Sequence, residues 1–428
     1  MIDTNAGLLT IYSVQRSGLK IRLRIIRQTI TAKPSLLLTL PLSVVLCLII
    51  FILRPIIQIR LGLLRSDRLG HFAMNHEIFL ADDECIPTNK RVSNFDIYFF
   101  GHVPVCNTQL GLMWQRRLRI WNNPLLYPCS LILRSSKIFS RHVCGEPTYL
   151  DRDVNLSLTR TSPSISFLDH EEVLGNRILE DLGVPSGAQF VCLSVRDSAY
   201  TAQLGVGDLS YHDIRNADID NYLMAADALT ERGVYVLRMG KTVSKCFDTP
   251  NSMIIDYAMS IHRSDLMDVF LAKNCVFAMG TNNGFLALPL LFRRPFLLTD
   301  LPTLGWIYSY SDSALNLAKT FVDDSLGKTM SLVDILKSPV AFSNRKEDFE
   351  ENRIHVIDNT PEEILSVTLE MFNRIHGIDQ YSTSDYILQN RFKNLFLSSL
   401  KDSEISLHRH FKGAYSIDAL RNDPHFLM

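Results

Sequence analysis

From residue 190 onward short apolar runs alternate with helical patterns, and this alternation restricts the possible folds more than any other feature of the sequence. Residues 190–195 (FVCLSV), 234–239 (VYVLRM), 253–257, 275–279 and 296–299 read as strands. Residues 217–231, 264–272 and 283–292 read as the helices between them. A strand–helix–strand series of this kind builds a parallel, doubly wound sheet, with ligands at the carboxyl ends of its strands. A helix over 361–375, capped by Asn359 or Thr360 and carrying Pro361 in its first turn, closes the series. The tail 380–428 has no clear pattern.

Upstream the signals are sparser. Residues 94–102 (NFDIYFFGH) read as a strand ended by Gly101, 107–118 as a helix and 124–134 as a second strand region. Residues 56–93 are only weakly strand-like. A helix opens at Asp169, its expected cap, and stops at Gly183. The expected division is an N-terminal segment 1–70, an α/β domain 71–183, a second α/β domain 184–345, and a terminal helix and tail 346–428. The chain's 428 residues suffice for two such domains.

Positions 35–53 hold no charge, and roughly 19 helical residues span ~28 Å, close to bilayer thickness. Lys20, Arg22, Arg24, Arg27 and Lys33 precede this run and Arg54 follows it. The expectation is a membrane anchor, with 20–60 as the membrane-contacting region. A helix lying flat against anionic lipid is the rival, and a buried core helix the plain structural alternative.

Composition excludes several classes. With 46% hydrophobic and 21% charged residues, wholesale disorder is unexpected. A net charge of −1 gives no electrostatic case for a nucleic-acid partner. The eight cysteines are scattered without C-x-x-C, which argues against a disulfide framework or zinc site. H-E-x-x-H, G-x-x-x-x-G-K-[ST], G-x-S-x-G and G-x-G-x-x-G are all missing, so a zinc hydrolase, P-loop kinase, α/β-hydrolase or ordinary dinucleotide enzyme is not expected. The Asp-x-Asp at Asp218 and Asp220, a possible metal motif, falls inside an expected helix.

Four segments can carry chemistry. The turn Gly280-Thr281-Asn282-Asn283-Gly284 joins a strand to a helix, where glycines admit an anion and backbone N–H groups can hold it. Arg196 follows the first strand of the second domain, and a guanidinium grips a diphosphate in bidentate fashion. Beside it, Asp197 is a candidate base and Ser198 a candidate contact. Tyr211, Arg215 and Asn216 precede the next helix and are candidate sugar or phosphate contacts. Arg238 ends a strand on the same edge. In the first domain His102 follows a strand and is a second candidate base, its intrinsic pKa being near neutral. Each has a plainer reading: a βα turn, a surface ion pair, a helix cap, a structural histidine.

Together VCLSVRDSAY, YHDIRNADIDNYLMAADALTERGVYVLRMGK, FAMGTNNGF and IDNTPEEIL resemble a family of bacterial surface-polysaccharide glycosyltransferases with the GT-B fold, over roughly residues 90–375. More distantly they are similar to fucosyltransferases, where Arg196 matches a phosphate-holding Arg, Thr281 and Asn282 match a later donor-cradling turn, and Ser194 departs from the usual His. The resemblance implies two Rossmann-like domains facing a cleft, with an N-terminal membrane-associated helix. It implies a nucleoside-diphosphate sugar as co-substrate, no other cofactor, no metal, and a glycan or lipid-linked acceptor. The expected location is the bacterial inner membrane, with the catalytic domains cytoplasmic. The alternatives are a sugar-nucleotide epimerase of the same fold and a non-catalytic membrane-bound glycan-binding protein.

Overall fold

The computed structural model describes residues 35–87, 93–101, 104–135, 137–145, 151–199, 210–378 and 381–428. The chain is mixed α/β with parallel sheets and divides into two compact units.

The first unit holds the described residues up to Asp151 together with Arg160–Ser166. Its elements are α1 (Ser35–Ile52), β1 (Gln58–Leu64), α2 (Leu69–Glu84), β2 (Asn94–Phe100), α3 (Thr108–Arg117), α4 (Leu126–Ser135) and β3 (Val143–Cys144). The three strands form a parallel sheet in the order β2-β1-β3. β1 is therefore central, although its sequence gives only a weak signal. Gly62 on β1 leaves room for the Tyr98 ring, which a Cβ would meet at 2.5 Å.

Two expectations fail here for identifiable reasons. Residues 69–84 form a helix that periodicity does not reveal. Asn75, His76 and Glu77 are buried beside Phe72, Met74 and Ile78, so no polar face remains to mark the period. Glu77 is satisfied by the backbone N–H of Ser164, 3.1 Å away. Residues 126–135 are helix, not strand: Leu126, Cys129, Ser130, Leu133 and Arg134 fall on one buried face at helical spacing. A short apolar run is ambiguous between the two states until its packing is known.

α1 docks sideways on this unit. The Ser43 hydroxyl donates to the Leu125 carbonyl at 3.1 Å, and Cys47 Sγ lies 3.0 Å from Cys129 Sγ. Among the described residues no helix is long and apolar enough to cross a membrane, so a spanning anchor is not found.

The second unit holds Arg152–Thr159 and most of 167–428. Its helices are α5 (Asp169–Asp181), α6 (Leu223–Thr230), α7 (Asp265–Asn274), α8 (Ala287–Leu291), α9 (Leu332–Lys337), α10 (Lys346–Glu351), α11 (Pro361–Ile375), α12 (Thr383–Ser398), α13 (Asp402–Ile405) and α14 (Ile417–Asn422). Its main strands are β4 (Phe190–Ser194), β5 (Tyr235–Arg238), β6 (Ile254–Ile255), β7 (Ala278–Gly280), β8 (Phe296–Leu301) and β9 (Ala314–Ala318). A small antiparallel sheet follows, from β10 (Thr320–Asp323), β11 (Lys328–Thr329) and β12 (Ile354–Ile357), and β13 (Ala414–Tyr415) returns to the main sheet. That sheet has seven parallel strands in the order β13-β9-β8-β7-β4-β5-β6.

The units differ from the expected domains at three places. β1 lies before residue 71 yet centres the first sheet. α5 belongs to the second unit, where Gly175 lets the Phe270 ring approach. Residues 346–428 are no appendage, because β13 pairs with β9 and α11 packs on α6. α11 itself starts as its sequence indicates: Thr360 and Glu363 form a capping box ahead of Pro361. α5 is capped differently, Glu171 accepting from the Leu168 N–H while Asp169 is the first helical residue.

Candidate functional site

Chain order along the seven-stranded sheet reverses between β4 and β7. From β4 the chain runs outward to β5 and β6, then returns to β4's other side for β7, β8 and β9. Loops leaving the two strands diverge at such a switch point and leave a crevice at the carboxyl edge, where open α/β sheets bind ligands. The loops leaving β4 and β7 here are 195–199 and the turn 281–286.

These segments are joined atom by atom. Ser194 pairs with Gly280 in register. Gly280 has φ +137, and a Cβ on it would meet the Ser194 carbonyl oxygen at 2.0 Å, so only glycine fits. The Ser194 carbonyl accepts from the Thr281 N–H at 3.1 Å and from Asn283 Nδ2 at 3.0 Å. The buried Thr281 hydroxyl accepts from the Arg196 N–H at 2.8 Å. Asn283 Oδ1 accepts from the Phe285 N–H at 2.9 Å.

A third segment joins them. The Arg215 guanidinium donates to the Asn282 carbonyl at 2.5 Å, and the Ala217 N–H to the Arg196 carbonyl at 3.1 Å. Asn216 Nδ2 donates to Asp213 Oδ1 at 3.0 Å. The Lys319 ammonium, on the buried side of the loop, donates to the Asn216 carbonyl at 2.7 Å and pairs with Asp358. Arg196, Arg215, Asn216, Thr281, Asn282 and Asn283 thus come together from segments far apart in sequence. Lys319 carries no motif of its own; the available signal was its position directly after the largely apolar run ALNLA of β9.

Other expected residues are placed differently. Arg238 is 1% exposed, donating to Asp256 Oδ1 at 3.0 Å and to the Lys245 carbonyl at 3.2 Å. Asp256 also accepts from the Phe247 N–H at 2.8 Å. Arg238 thus organises the 245–247 loop and is not presented as a phosphate cation. Asp197 accepts from the Ala199 N–H at 2.9 Å, the Ser244 N–H at 2.7 Å and the Ser244 hydroxyl at 2.9 Å. Its carboxylate holds two loops together, which weakens it as a base. Lys245 bridges Asp218 and Asp220 at the surface, holding the Asp218 carboxyl below its usual range, and neither Asp is part of a metal cluster. Ser198 is exposed and Gly284 lies at the open side of the turn. Tyr211 falls in a short 3₁₀ stretch, Ser210–Arg215. His102 lies outside the described residues.

The helix expected over 283–292 is only Ala287–Leu291. Asn283 uses its amide to fasten the turn to β4, and the chain enters the helix only at Ala287. A cleft of about 50 Å³ lies at the carboxyl ends of β4 and β5, lined by Asp197, Ala217, Arg238 and Lys245 among others. It is far below the ~300–1,000 Å³ of pockets that enclose small ligands.

In the first unit the corresponding edge is the turn after β1. It carries Arg65, Ser66 and Asp67, then Gly70 and His71 in the first turn of α2. The Cys106 N–H donates to the Ser66 carbonyl at 2.8 Å, holding the turn. His71 Nδ1 is 3.3 Å from Asn75 Oδ1. Burial pushes the imidazole pKa down; Asp151 opposes this, while Arg65 and Arg68 add to it. The ring is accordingly neutral at physiological pH, the form able to accept a proton. Nothing in the sequence marks His71 as following a strand, because β1 gives only a weak strand signal.

No family model matches the chain, and no curated protein matches it. Solved structures do. The ADP-heptose LPS heptosyltransferase II of E. coli aligns at 10% identity with a TM-score of 0.39, over 74% of this chain and all of that one. A family 9 glycosyl transferase from Veillonella parvula aligns at 9% identity and 0.37, over 61% of this chain and 86% of that one. The iron-containing dodecameric glycosyltransferase TibC of enterotoxigenic E. coli aligns at 12% identity and 0.35, over 76% and 80%. None of the three is a fucosyltransferase. Identities and scores this low carry no substrate or mechanism over to this chain.

Proposed function

We propose that the chain is a glycosyltransferase moving a sugar from a nucleoside-diphosphate donor to a hydroxyl of a cell-surface glycan or lipid-linked acceptor. The observation that carries the reading is the convergence of the Arg196 loop, the Arg215 loop and the 280–284 turn at the switch point of the parallel sheet. A leaving diphosphate needs cations and N–H groups around its developing charge. Arg196 and Arg215 are proposed to supply the cations, and the backbone of 280–284 the N–H groups.

The acceptor oxygen attacks the anomeric carbon. The bond from that carbon to the diphosphate breaks, and the nucleoside diphosphate leaves with the electron pair. The hydroxyl proton needs a base. Asp197 is engaged through both oxygens, so we assign this role to His71, with His102 as the rival in the same unit. No metal or other cofactor is invoked, and activity is expected to persist in EDTA. The enzyme is proposed to work at the bacterial inner membrane, its catalytic units in the cytoplasm.

Calorimetric titration with ADP, GDP, UDP and CDP tests the donor site. At least one should bind, and Arg196→Ala should weaken it by ~10–100-fold, as loss of a charge-assisted contact does. Binding of none, or binding indifferent to Arg196→Ala, would refute the reading. Turnover of a nucleotide sugar without any acceptor would instead indicate an epimerase.

A further inference from the structure

The two sides of α1 have different surroundings. Ser43, Cys47 and Ile50, spaced four and three residues apart, are buried against the first unit, where Cys47 and Ile50 join Leu61, Phe99, Tyr127 and Leu133 in one core cluster. Leu38, Leu42, Val45, Ile49 and Ile52 recur at helical spacing on the opposite side and are exposed, Leu38 at 83% and Ile52 at 71%. Ile56, just past the helix, is 85% exposed. Ile138 extends the apolar surface, since its neighbour Phe139 packs edge-on against Phe51 of α1.

Water does not suit such a face, and isolated folded domains rarely keep one this large. Its surroundings in sequence point to the occupant. Every charged residue between positions 4 and 66 is Lys or Arg, in a chain whose overall charge is −1. Arg60 pairs with Asp96; in the sequence, Arg16, Lys20, Arg22, Arg24, Arg27 and Lys33 precede the apolar run and Arg54 follows it. One-signed basic charge beside an exposed apolar helix face is complementary to an anionic lipid surface.

We propose that α1 lies in the plane of an anionic membrane surface, its outer face in the acyl layer and its inner face bonded to the first unit. The packing excludes a crossing orientation. Ser43 ties the helix to Leu125 and Cys47 ties it to Cys129 of α4, so a crossing helix would draw the folded unit into hydrocarbon with it. The proposal extends beyond sugar transfer and stands without it, because its test uses neither donor nor acceptor.

The test is flotation of the full chain with phosphatidylcholine vesicles, with and without phosphatidylglycerol. The chain should float with phosphatidylglycerol vesicles and less so as salt rises. The triple variant Leu42→Glu, Leu48→Glu, Ile52→Glu changes only exposed positions. It should keep its circular dichroism and melting curve and lose vesicle binding on the order of tenfold or more. Unchanged flotation of the variant would overturn the proposal. So would flotation of neither protein, with a dimer of the parent becoming a monomer in the variant, which would make a second copy the occupant. Single cysteines placed at Thr39 and Ile56 should react with an impermeant maleimide from the same side of sealed vesicles; reaction from opposite sides would show a crossing helix and refute the flat one.

Discussion

Both units present the carboxyl edge of a parallel sheet, but they furnish it differently. In the second unit the edge is wired. Ser194, Arg196, Thr281 and Asn283 exchange backbone and amide hydrogen bonds across the β4/β7 switch, and Arg215 reaches over to Asn282. In the first unit the edge after β1 is held by the Cys106 N–H on the Ser66 carbonyl and carries His71, a half-buried imidazole whose pKa burial lowers. A rigid frame of N–H groups and guanidinium groups suits a permanent anion, whose charge does not change during reaction. A neutral imidazole suits a group that must take up a proton and later release it. The proposed donor site lies at the wired edge of the second unit, and the proposed base belongs to the edge of the first.

The sharpest test of this division is His71→Gln. Its turnover should fall ~10²–10⁴-fold while nucleoside-diphosphate affinity stays the same, because a base contributes to reaction and not to donor binding. In the parent, kcat/KM should rise with pH through a pKa below 6.5 and then level off, since the neutral form is the active one; the variant should lack that limb. Equal weakening of donor binding would abolish the distinction between the edges.

Gly280→Ala probes the wired edge. A Cβ 2.0 Å from the Ser194 carbonyl oxygen, at φ +137, forces the turn apart. Stability by urea unfolding should fall by on the order of 3 kcal/mol. A loss below ~1 kcal/mol would mean the β4/β7 junction is less constrained than its geometry indicates.

Acid should affect both units through a different pair of histidines. Burial, then Arg134, pushes His76 in the first unit to about 3, and burial, then Arg152, does the same to His408 in the second. Their unfolded pKa is near 6.5, so the unfolded chain binds more protons between about 3 and 6.5. The stabilisation is complete above pH 6.5 and is lost as pH falls. Melting curves at pH 7 and 5 should differ by ~2 kcal/mol per histidine. His408→Gln should reduce that difference for the second unit alone, His76→Gln for the first alone. The smallest effect is expected at the exposed Lys245 bridge to Asp218 and Asp220, where Lys245→Ala should leave stability and donor binding within error.

Much of the second unit could be read before its structure. β4 is an apolar run bounded by polar loops, and α11 carries its capping box and Pro361 in sequence. The segments after β4 and β7 could be identified as edge loops from alternation alone. The first unit was less legible, because α2 buries Asn75, His76 and Glu77 and so hides its own period, which also hid His71.

The sequence by itself determined the strand–helix alternation, the helix caps, the glycines of the 280–284 turn and the one-signed charge around α1, because each is a local property of neighbouring residues. Tertiary structure decided that Arg215 reaches the Asn282 carbonyl while Arg238 turns to Asp256, that β13 joins β9, and that α1 has one bonded side and one bare one. The physical reason is range. A guanidinium on a long side chain, or a two-residue strand, takes its partner from whatever the fold brings near, and those partners lie 18 to 99 residues away in the chain.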